Sequence, residues 1–189
     1  MDHFKGQAAS RAALMPSRQG VMAWPSDEEN CAFLADEARL PFPNAGFDRI
    51  LIVHCLEHSH QGETLLQEAW RVLSPGGNLM LIAPNRSGFW VRSEDTPFGH
   101  GRPFSRNQLT GLLDRTLYKI VERETALHMP PPRGAGRARA YLSLEKTGRL
   151  LWPRLGGVQI IWAEKQMKAP LTEGKKLKAQ TVPAAAMPV

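Results

Sequence analysis

Apolar residues are gathered in short runs divided by polar and turn-forming stretches, and the periods of those runs predict alternating strands and helices. The run "DRILIVHC" (48–55) is β-branched and almost uninterrupted, as expected of a strand covered on both faces in a parallel sheet. The turn-rich "LPFPNAG" precedes it. Before that come two shorter runs, "CAFLADE" and the weakly strand-like "SRAALM", which is stopped by Pro16. Beyond the long run, Leu65, Leu66, Ala69, Trp70 and Leu73 fall on one stripe of an amphipathic helix. Pro75, Gly76 and Gly77 should end that helix, through a missing donor and the freedom of glycine at positive φ. "NLMLIAP" (78–84) reads as the next strand. Strand, helix and strand with short connections form a βαβ crossover.

After a polar loop, Ser105 and Gln108 stand in capping-box spacing, and Leu109, Leu112, Leu113 and Leu117 give a second helical stripe. A proline- and glycine-rich loop follows at 128–137, then a helix over 138–152. "GGVQIIWAEK" reads as a final strand. The expected architecture is therefore α/β, with a parallel sheet carrying helices on both faces.

At 189 residues the chain fits one domain, over residues 1–166, followed by a basic tail over 167–189 that is expected to be disordered. Five lysines against two glutamates give this end, from Glu164 onward, +3 of the net +6. The basic balance thus reads as a solvated tail rather than a nucleic-acid surface. No window approaches a membrane span, and the N-terminus lacks the apolar region of a secretory signal. Two cysteines, Cys31 and Cys55, make no disulfide framework, so a reducing cytoplasm is the expected setting.

Ligands of open α/β sheets bind beyond the carboxyl ends of the strands. Three such ends are legible: Asp36 and Glu37, His54 to His58, and Pro84 to Arg86. The cluster "HCLEHSH" invites a metal reading, but neighbouring strand residues point to opposite faces and no second ligand pair follows at metal spacing. A Cys55–His58 nucleophilic pair lacks an identifiable oxyanion donor, and Cys55 reads more simply as a small apolar filler. The remaining reading is a flat organic ligand lying across the strand ends.

Four motifs support it. Asp36 follows a strand; Leu40-Pro41-Phe42 comes next; Phe47-Asp48 leads into the following strand; and Arg71-Val72-Leu73-Ser74-Pro75-Gly76-Gly77 ends a helix. In this order and spacing, residues 31–85 resemble the second half of a class I S-adenosylmethionine-dependent methyltransferase of the small-molecule "type 11" group. The resemblance implies a Rossmann-like fold, S-adenosylmethionine as cofactor, and methyl transfer to an acceptor that the sequence does not name. It implies that Asp36 accepts from the adenine amine, helped by the backbone of Glu37 and Ala38. It also implies that Val53, His54 and Cys55 lie beneath the cofactor. Asp48, which precedes its strand, is expected to be structural. In the loop before the second helix, His100, Arg102 and Arg106 are candidates to hold an anionic acceptor, with Phe98 and Phe104 packing on it. The alternative is a loop tied down by those two phenylalanines.

The family's first strand and its glycine-rich turn have no counterpart in these residues. The expectation is a domain lacking both, with weakened cofactor binding and doubtful activity in this form. The runner-up is a non-catalytic module that binds a protein partner through a sheet edge.

Overall fold

A computed structural model of the chain describes residues 11–16, 22–25, 29–92, 98, 101–129, 145 and 147–167. The elements are β1 (Ala13–Pro16), β2 (Ala32–Ala35), β3 (Phe47–Val53), α1 (Gly62–Val72), β4 (Leu73–Pro84), α2 (Arg106–Arg115), β5 (Tyr118–Ala126) and β6 (Val158–Lys165). The basic tail from residue 168 and most of the expected loop and helix over 128–152 lie outside the described residues, although 147–151 are helical.

The βαβ crossover is present. β3 and β4 pair in parallel, from Ile50↔Leu79 to Val53↔Ile82, with α1 between them in sequence. β1 and β2 also pair in parallel but form a separate two-stranded sheet. The larger sheet has the order β3-β4-β6-β5.

Two details differ from the sequence expectation. The larger sheet is mixed, because β6 is antiparallel to both β4 and β5. β5 therefore runs in the same direction as β4, and β6 is inserted between them in reverse. The second difference concerns the helices. Leu79, Leu81 and Ala83 share one side of β4, and they form a single core with Leu65, Leu66 and Ala69 of α1 and Leu109, Leu112 and Leu113 of α2. Tyr118 Oη donates to the Leu66 carbonyl at 3.2 Å, and Arg115 meets Glu63 at 3.5 Å. Both helices thus cover the same face. Met80, Ile82, Ile160 and Trp162, on the reverse face, are only half-buried.

Helix α1 ends at Val72, before the expected Pro75 stop. Leu73 already pairs with Phe47, and a register shift then brings Arg49 opposite Asn78. Gly76 absorbs the extra residues at φ +73°, a conformation that costs glycine little. Helix α2 begins as expected: Ser105 Oγ accepts from the Gln108 amide, and the Gln108 side chain accepts in return from the Ser105 amide. β5 was not expected, because its charged residues obscure the strand pattern.

Arg71 positions the rest. Its guanidinium donates to the carbonyls of Leu40 (3.0 Å) and Phe42 (2.9 Å), to Asn44 Oδ1 (2.8 Å) and to both oxygens of Glu68. Glu68 also accepts from the Leu40 amide at 3.0 Å. The connection from β2 to β3 is thereby fastened to α1, and the Phe33, Phe42 and Phe47 rings, edge to face at 5.3 and 4.7 Å, close the far side.

Candidate functional site

The β2 end is a tight turn closed by its own acid. Asp36 Oδ1 accepts from the Ala38 amide at 2.9 Å, and the Asp36 carbonyl accepts from the Arg39 amide at 3.0 Å. Asp36 is exposed, and among the described residues only one of its carboxylate oxygens is engaged.

At the β3 end, His54 leaves the strand at φ 49°, a left-handed conformation uncommon for any residue but glycine. Its amide still donates to the Ile82 carbonyl at 3.1 Å, so the strand edge holds while the side chain is turned. That turn brings His54 Nδ1 to 2.9 Å from Glu57 Oε1. Glu57 is 3 % exposed, and its second oxygen is buried without a hydrogen-bond partner among the described residues. Phe98 packs on the imidazole at 5.1 Å between ring centres, and Trp90 stands edge-on to Phe98 at 5.5 Å. The Arg102 amide donates to the Glu57 carbonyl at 2.9 Å. Gly101, at φ +89°, allows that approach, since a Cβ would lie 3.1 Å from the Glu57 oxygen.

Cys55 links the two strand ends. Burial pushes its thiol up to about 11, and the carboxylates of Glu37 and Glu57 push in the same direction. Glu37 of the β2 end is therefore an electrostatic neighbour of the β3 end. A thiol so protonated at neutral pH is a poor nucleophile, which speaks against the Cys55–His58 pair. His54 faces Glu57, and the His58 ring lies beside Gly101. Among the described residues no group of three or more His, Cys, Asp or Glu could hold a metal ion.

The other candidates divide. Val53 is half-buried at the end of β3, and Asp48 is exposed at the start of that strand. Arg102 is exposed and joins Glu57 only through its backbone. Arg106 opens α2, and its charge acts on Arg123, whose guanidinium is lowered first by burial and then by Arg106. His100 lies outside the described residues. The two phenylalanines separate: Phe98 packs on His54, whereas Phe104 packs against the core and its carbonyl accepts from Gln159 and Arg86. Glu57 and Trp90 were missed from sequence. An acid three residues after a strand-end histidine was the available signal for Glu57.

Comparison with known proteins bears on the family and the fold. The family model described as "Methyltransferase domain" matches residues 14–81. A probable S-adenosylmethionine-dependent methyltransferase of Mycolicibacterium smegmatis is 32% identical over 103 residues, covering 53% of this chain and 38% of that protein. A demethylmenaquinone methyltransferase of Tropheryma whipplei is 32% identical over 104 residues, covering 53% of this chain and 37% of that protein. The chain thus spans less than two fifths of either relative. A solved methyltransferase structure from Thermotoga maritima superposes with a TM-score of 0.51 at 21% identity, over 71% of this chain and 64% of that one. No described helix is long and apolar enough to cross a membrane. Residues 14–81 are thus similar to a methyltransferase domain, and the fold is that of solved S-adenosylmethionine-dependent methyltransferases.

Proposed function

We propose that the chain takes part in methyl transfer from S-adenosylmethionine, with the β2 end receiving the adenine and the β3 end lying under the reacting groups. The observation that supports this is that Asp36 follows the carboxyl end of β2 and His54 that of β3, with the Glu37 charge felt at Cys55.

The residues fit the cofactor. Asp36 has one carboxylate oxygen that no described residue engages, open to an exocyclic amine, and its other oxygen stiffens the turn so that the Glu37 and Ala38 backbone is presented in a fixed shape. Val53, His54 and Cys55 form the floor. When bound, the cofactor supplies a methyl group already activated on sulfur, so these residues need only bind, orient and exclude water. The acceptor sits above His54, where Phe98 and Trp90 wall the site. Arg102 and Arg106 are the remaining candidates for contact with an anionic group on it. The adenine end is tested by titrating S-adenosylhomocysteine into the wild-type chain and Asp36→Ala. Loss of affinity in the variant supports the reading, and equal affinity refutes it.

A further inference from the structure

We infer that His54 is the general base of the methyl-transfer reaction, positioned by Glu57, and that the acceptor is a planar aromatic ring bearing an ionisable hydroxyl. This rests on the methyltransferase reading above and adds the acceptor's chemistry to it.

Three observations converge on the pair. His54 occupies a left-handed backbone conformation at a strand end, and such conformations concentrate where a side chain must be aimed. Glu57 Oε1 stands 2.9 Å from Nδ1, so with the proton on Nδ1 the imidazole presents Nε2 as an acceptor that no described residue engages. Glu57 is 3 % exposed, so a carboxylate has been buried to hold one histidine ring. Among the described residues, the other ionisable groups near this turn are Cys55, Glu37 acting on Cys55, His58 on the same turn, and Arg102 through its backbone contact with Glu57.

The aromatic rings narrow the acceptor. Phe98 against His54 and Trp90 against Phe98 form an apolar wall beside the base, suited to a flat ring. An amine attacks with its own lone pair and needs no base as the methyl moves, whereas a hydroxyl gains much from one. The hydroxyl proton passes to His54 Nε2 as the oxygen's electron pair forms the new bond to carbon. The electron pair of the broken carbon–sulfur bond stays on sulfur. Glu57 balances the resulting imidazolium, which then returns its proton to water.

The test uses 4-nitrophenol, whose absorbance reports its ionisation, and its methyl ether 4-nitroanisole, which has no proton to lose. The variants are His54→Asn, because asparagine also tolerates left-handed backbone, and Glu57→Gln. Wild type should bind both probes and shift bound nitrophenol toward nitrophenolate. His54→Asn should lose that shift while still binding nitroanisole measurably, and Glu57→Gln should weaken the shift. An unchanged nitrophenol spectrum in wild type, an equal shift in His54→Asn, or no binding of either probe would overturn the proposal. S-adenosylhomocysteine is titrated in parallel. Nitrophenol ionisation by His54 without any cofactor binding would leave the base in place and remove the methyltransferase reading. The reverse pattern would do the opposite.

Discussion

Arg71 Nη2 donates to the Leu40 carbonyl at 3.0 Å, across 31 residues of sequence. Two separate motifs, Leu40-Pro41-Phe42 and the helix end that begins with Arg71, are thus halves of one clamp. Replacing Arg71 by Ala should lower Tm by several degrees and expose the 40–45 segment to proteolysis. Arg71→Lys should recover little, since an ammonium cannot reproduce the planar fork that reaches Leu40, Phe42 and Glu68.

The same clamp has a pH signature. The hydrogen bond from Arg71 is the main reason that the Glu68 carboxyl is lowered. A carboxyl lowered in the folded state stabilises above its unfolded pKa and loses that contribution as pH falls through the folded value. The Tm difference between wild type and Arg71→Ala should therefore be full at neutral pH and shrink as pH drops below about 4. A gap that widens in acid would contradict the assignment.

Cys55 should react slowly with iodoacetamide at neutral pH in the folded chain and readily once unfolded, because its thiol is held up by burial and by two carboxylates. Glu37→Gln should speed the folded-state reaction modestly. An unchanged rate, read by mass spectrometry of the Cys55 peptide, would separate the β2 end from the β3 end.

The capping box of α2 gives a local prediction. Ser105→Ala removes the acceptor for the Gln108 amide and should cost about 1 kcal/mol in chemical denaturation. Gln108→Ala should cost less, because the amide–hydroxyl half of the box survives.

What was legible in the sequence follows from burial. Ile50, Ile52, Leu79 and Leu81 belong to strands with close neighbours on the helix-covered face, so their hydrophobicity is nearly continuous and the βαβ unit is plain. β5 is an edge strand with Lys119, Glu122 and Glu124 exposed, and these charges hide its pattern. The direction of β6 was illegible for another reason: an apolar strand such as Val158–Lys165 looks alike whichever way it runs, and only topology reverses it. At the site, Asp36 and the 53–55 strand end could be named because chain position alone puts them at carboxyl ends. The His54–Glu57 pair could not, since it depends on the left-handed turn at His54. Nor could sequence tell Phe98, on the imidazole, from Phe104, in the core.

Asp36 and Asp48 separate binding from folding. Asp36→Ala should weaken cofactor binding about tenfold to a hundredfold, the loss of one charge-assisted hydrogen bond. Asp48 is exposed at the opposite end of β3, so Asp48→Ala should leave cofactor affinity unchanged, with at most a small loss of stability. Calorimetric titration alongside thermal melts of the two variants makes the comparison.

The most direct measurement of the central claim is a backbone amide NMR titration with S-adenosylhomocysteine. The account predicts that the amides of Asp36, Glu37, Ala38, Val53, His54 and Cys55 shift together along one binding curve, and that Asp48 and Arg49 stay still. Shifts confined to the Asp48 end of the sheet, or none at millimolar ligand, would contradict it.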